Sequence, residues 1–172
     1  MGGENMTQSQ SLHYCRQVEE KLNRMLELAD GLDEETLRRK PSPEKWSVME
    51  VLCHVEEMLE YWMEELQRVV ANRGGSWGRG LQDERRLAAV ARADQRTLED
   101  VTAGLRKAGT LVRDTVSKLS DDDLALEAPH RNEKFGVKPM TFLLDHFVVD
   151  HLEGHIGQIR RNLESFSGNG PE

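Results

Sequence analysis

Cysteine is scarce in this chain. Cys15 and Cys53 are its only two, and they match no zinc-knuckle or redox spacing. They read as buried thiols that pack as small hydrophobes. No apolar run approaches the ~18 residues of a membrane span, so no membrane partner is expected. Met1-Gly2-Gly3-Glu4 opens no signal peptide, and Met6 stands where a myristoylation signal needs Ser or Thr. The expected location is the cytoplasm. Positive charge is also short. Lys and Arg number 23 against 31 Asp and Glu, a formal charge of −8 that repels phosphate backbones. Arg85-Arg86 and Arg160-Arg161 are isolated pairs, so no nucleic-acid partner is expected. Strand-period runs, solenoid repeats and Gly-rich phosphate loops are missing too. What remains is a charged helical chain of single-domain size, expected as one domain over 1–172 with a core at 9–166 and flexible tails at 1–7 and 167–172.

Four amphipathic helices account for most of it. The first runs from about Ser9 to Ala29, with Leu12, Cys15, Val18, Leu22, Met25, Leu26 and Ala29 as its stripe and Gly31 as its stop. Residues 30–46 form a connector containing Pro41 and Pro43, with a single turn around Glu34–Leu37. Ser47-Val48-Met49-Glu50 is a capping box that opens helix two, with Trp46 placed for the hydrophobic staple. That helix runs to about Asn72. Glu56, Glu57, Glu60, Glu64 and Glu65 read as its solvated face. The glycine-rich stretch 73–82 can span roughly 33–36 Å, enough to return along the bundle and let helices two and three run parallel. Trp77 within it reads as a cap on the core. Helix three is expected from Asp83 to Leu119, bent at Gly104 or Gly109. A capped turn follows at Ser120, then an irregular stretch over 125–138, and helix four begins near 137–140. The fold class is all-α, a four-helix bundle.

Helix four carries the chemistry. His151 and His155 are four residues apart, so at about 100° per residue their side chains stand roughly 40° apart, one turn above the other. Such a pair can reach one cation without distorting the backbone. His54, two turns into helix two and beside its apolar stripe, can join them. His146 lies about 140° from His151 and cannot easily share the site, and His13 and His130 receive no role. Three imidazoles leave a coordination position open. Glu57, Asp94 and Gln158 are candidates to hydrogen-bond the outer ring nitrogens. Asp94 falls on the seam between Val90 and Leu98, where it either sits at a wet end of the bundle or meets a histidine.

Trp46-Ser47-Val48-Met49-Glu50-Val51-Leu52-Cys53-His54 resembles the "W-S-x-x-E-x-x-x-H" entry to helix two of the DinB/YfiT-like superfamily. His151-Leu152-Glu153-Gly154-His155-Ile156-Gly157-Gln158-Ile159 resembles its closing "H-x-x-x-H-x-x-Q-I" helix. The resemblance covers almost the whole chain. It implies an up-down-down-up bundle, a possible homodimer, and a divalent transition metal, zinc or nickel foremost, on His54, His151 and His155. It also implies an enzyme acting on a small-molecule substrate. Characterised relatives use a low-molecular-weight thiol in S-transfer or isomerisation, and others are called metal-dependent hydrolases. In either case the ion lowers the pKa of a thiol or a water and delivers the anion as nucleophile. The expected function is thiol-dependent S-transfer, with hydrolysis or a non-catalytic metal-containing module as alternatives. No general acid or base is assigned.

Overall fold

The computed structural model describes residues 3–167. Its elements are α1 (Gly3–Ala29), α2 (Glu34–Arg38), α3 (Val48–Asn72), α4 (Glu84–Ala91), a 3-10 turn (Ala93–Gln95), α5 (Leu98–Val116), α6 (Asp121–Ala125), strands β1 (Glu127–Pro129) and β2 (Val137–Pro139), α7 (Met140–Phe142), a π-helical turn (Leu143–Val149) and α8 (Asp150–Phe166). From α7 to α8 the chain is one rod, the fourth of the bundle. Among the described residues no helix is long and apolar enough to cross a membrane. α1 starts six residues before the expected Ser9. Of the expected tails, residues 1–2 and 168–172 lie outside the described residues.

Side-chain contacts fix the directions. Glu56 meets Arg96 and Gln67 meets Thr115, so α3 and α5 are parallel. Ser11 donates to the Leu119 carbonyl at 2.7 Å while Leu22 packs at Gly109, so α1 opposes α5. Asn162 donates to the Trp46 carbonyl at 2.8 Å while Trp62 meets Phe147, so the fourth rod opposes α3. The result is up-down-down-up. Ser47 accepts from Glu50 N at 3.1 Å and Glu50 accepts from Ser47 N at 2.9 Å, so the expected capping box opens α3.

α3 is the central helix. Val51, Leu52, Val55, Leu59 and Leu66 are wholly buried, packing with Val101, Leu105 and Val112 of α5 and with Leu144, Leu152 and Ile156 of the fourth rod. Most of its acidic face is engaged rather than free in solvent as expected, although Glu64 is exposed. Glu57 is buried and paired with Arg79 and Arg85, Glu64 pairs with Arg85, Glu65 accepts from Gly78 N, and Glu56 meets Arg96. The charges dock the crossover onto the helix.

The single long helix expected over 83–119 is two helices. It breaks at 92–97, where Thr97 and Asp100 form a second capping box that starts α5. α4 buries no residue of its own, and Leu87 is half-exposed. Gly104 and Gly109 lie inside the uninterrupted α5: a Cβ on Gly104 would lie 2.0 Å from the Glu56 carboxylate, and one on Gly109 would lie 3.0 Å from Leu22. Both let neighbouring helices approach closely. Leu12, expected inside, is exposed.

The stretch 125–138 contains a short antiparallel hairpin, Glu127 opposite Pro139, that the sequence reading missed. Trp77 caps it and is wholly buried, donating its indole N–H to the Ala128 carbonyl at 2.9 Å.

Candidate metal centre

Local folding delivers the three histidines from two antiparallel rods. The Ser47 cap sets the phase of α3, and His54 follows two turns later among Val51, Leu52 and Val55. In the fourth rod the π-helical turn adds a residue just before the His pair. Its last bond runs from Asp150 N to the Asp145 carbonyl, five residues back. Leu143 with Leu144 and Val148 with Val149 therefore all face inward, and the rod re-enters α-helical phase with His151 and His155 turned toward α3.

One ligand atom from each of His54, His151 and His155 lies within 4.8 Å of the others. Ring centroids stand 4.8 Å apart for His54 and His155, 5.8 Å for His54 and His151, and 4.8 Å for His151 and His155. His54 is 1% exposed, and neither of its ring nitrogens has a hydrogen-bond partner. His155 Nδ1 lies 2.9 Å from Gln158 Oε1. That oxygen can only accept, so Nδ1 carries the proton and Nε2, buried and unpartnered, keeps its lone pair. Trp46 walls the site, its ring centroid 5.0 Å from His54 and 6.5 Å from His155.

Burial pushes His54 down to about 2, reinforced by repulsion from His155, Arg86 and His151. Burial also lowers His151 to about 4, with His155 adding to it and a hydrogen bond to the Phe147 backbone opposing it. His155 is lowered by burial, against the Gln158 hydrogen bond. All three are therefore neutral at pH 7, the protonation state in which an imidazole can ligate a metal. Unpaired buried nitrogens are costly in an apolar interior. Such nitrogens on His54 and His155, with a ligand atom of His151 within 4.8 Å of theirs, fit a cation, and the donor set suits a divalent transition metal.

The other candidate residues divide. Gln158 reaches the centre. Glu57 is held by Arg79 and Arg85, and Asp94 is exposed in the 3-10 turn with no hydrogen bond to any of the three histidines. Its wet-end alternative is the one the structure adopts. His146 is exposed and stacks on Phe142 at 5.1 Å, outside the cluster. His13 is exposed, and His130 is buried among aromatic rings. Two neighbours were missed. Trp46, read as a staple, lines the centre, and Arg86, read as part of an isolated basic pair, has its Cζ 5.3 Å from the Trp46 ring. Only the contact between crossover and bundle reveals Arg86.

The fold and the cluster define a class: helical bundles with a three-histidine centre able to hold a metal between two antiparallel rods. The model of the DinB superfamily matches residues 17–159, and the chain belongs to that superfamily. Among solved structures it is similar to YfiT from Bacillus subtilis, described as a probable metal-dependent hydrolase with an unusual four-helix bundle topology. The TM-score is 0.76 at 15% identity, over 91% of this chain and 87% of that one. A search of curated proteins finds no match.

Proposed function

We propose that the protein is a metal-dependent enzyme acting on a small molecule, with His54, His151 and His155 as ligands to one divalent ion, zinc or nickel. The observation that carries this reading is the convergence of buried, unpartnered imidazole nitrogens from two helices. A divalent ion there supplies Lewis acidity and lowers the pKa of whatever nucleophile joins it. The chain's own residues do the rest. Gln158 fixes the tautomer of His155, Trp46 shields one side, and the three neutral rings leave a position for a reactant.

Thiol-dependent S-transfer is the reading we favour. The carboxylate that hydrolysis would want beside the ion is not free, since Glu57 is engaged by two arginines. Hydrolysis is the second reading, favoured by the likeness to a probable metal-dependent hydrolase.

Elemental analysis of untagged protein tests the centre. Wild type should carry about one equivalent of a transition metal and His54→Ala none, as for a three-ligand set losing a member. Loaded protein should then consume a small thiol with an electrophile faster than it hydrolyses an ester. Wild type that takes up no metal after reconstitution with nickel and zinc sinks the proposal.

A further inference from the structure

α4 carries two adjacent arginines with different surroundings. Arg85 turns to α3 and pairs with Glu64 at 2.7 Å and Glu57 at 3.3 Å. Arg86, about 100° further round the helix, turns to Trp46. Its Cζ lies 5.3 Å from the Trp46 ring, which itself stands 5.0 Å from His54. Its hydrogen bond goes to a neutral acceptor, the Leu81 carbonyl, at 2.9 Å. Among the described residues no carboxylate comes within 4.0 Å of its guanidinium. Glu57 and Asp83, the acids nearby, are both engaged by Arg79.

A half-buried guanidinium without a counter-ion, beside a second arginine, is an unfavourable arrangement for a folded protein left to itself. It becomes favourable when an anion arrives. Arginine offers five N–H donors in a planar fork, and a carbonyl and an indole face leave part of that fork unused. Leu81 and Leu87, both exposed, flank it with apolar surface that a small molecule's carbon frame can cover.

We propose that Arg86 binds an oxyanion group of the small molecule whose reacting atom sits at the three-histidine centre, and so selects anionic over neutral reactants. The inference rests on the metal-centre reading above. Cobalt(II)-loaded wild type, Arg86→Gln and Arg86→Lys are titrated with 3-mercaptopropionate and with its neutral amide, following the thiolate-to-cobalt band in the near ultraviolet. Wild type should bind the acid about tenfold or more tighter than the amide, the effect of one charge-assisted hydrogen bond. Arg86→Gln should erase that preference with the amide's affinity unchanged, and Arg86→Lys should keep part of it. Wild type without a preference for the acid, or Arg86→Gln with the preference intact, overturns the proposal. Failure of wild type to bind cobalt is a different result and overturns the metal-centre reading instead.

Discussion

His54 and His130 look alike until their surroundings are compared. Both are buried, at 1% and 5% exposed, both have a ring nitrogen without a partner, and burial pushes both pKa values down. His130, however, sits in a box of aromatic rings, with centroids 4.6 Å from Trp77, 4.8 Å from Phe135 and 5.3 Å from Phe147. Its Nδ1 accepts from Asn132 N at 2.8 Å, so its unpartnered Nε2 carries a proton, not a lone pair. Gly78, at φ +96°, closes the box: a Cβ there would lie 2.3 Å from that Nε2. His54 instead faces two imidazoles, and the nearer of them, His155, has its Nδ1 turned to Gln158. Burial and a depressed pKa are common to the two regions. Lone pairs converging on one point belong to only one of them.

Breaking the aromatic box should cost the fold and spare the metal. Trp77→Ala removes a wholly buried indole and should lower stability by about 3–5 kcal/mol, measured by urea unfolding, with metal content per folded chain unchanged. Equal loss of metal would mean that the box also builds the centre. The opposite dissociation comes from Gln158→Leu. Without the acceptor that orients His155, metal affinity should fall about 10–100-fold in chelator competition, and the urea midpoint of metal-free protein should barely move. An unchanged affinity would remove Gln158 from the centre.

The smallest effect concerns pH. His130 is held below its ordinary value by burial, so above the unfolded value of about 6.5 it is neutral in both states and imposes no penalty. Below that value the unfolded chain takes up a proton that the folded box resists. Its contribution is therefore present at pH 7.5 and declines as the pH falls toward 5.5. The urea midpoint of wild type should drop relative to His130→Gln over that window, and parallel pH profiles would show that the box tolerates the charge.

The bundle and the His pair were legible because they are periodic and local. Caps, apolar stripes and an i, i+4 spacing are written in consecutive residues, and Ser47 with Glu50 announced α3 directly. The break before α5 was legible too, in Thr97 and Asp100, but a continuous apolar seam from Leu87 to Leu119 masked it. What could not be read is tertiary. Whether Glu57 meets water or Arg79, and whether Arg86 faces solvent or Trp46, depends on where the crossover lands. Gly104 gives no sign in the sequence that it makes room for a carboxylate from another helix. The π-helical turn leaves no mark in composition either, and shows only as the adjacent buried pairs Leu143-Leu144 and Val148-Val149.

Parallel α3 and α5 require a long return, and residues 73–97 supply it while placing Arg79, Arg85 and Arg86 over the His end of the bundle. None of the three histidines lies in that stretch. On the proposals made above, metal retention and reactant choice would be inherited on separate pieces of chain. A lineage can diversify what it acts upon by rewriting one surface segment, with the scaffold and the centre passed down unaltered. A library confined to 73–97 on an otherwise fixed bundle would sample that same evolutionary freedom.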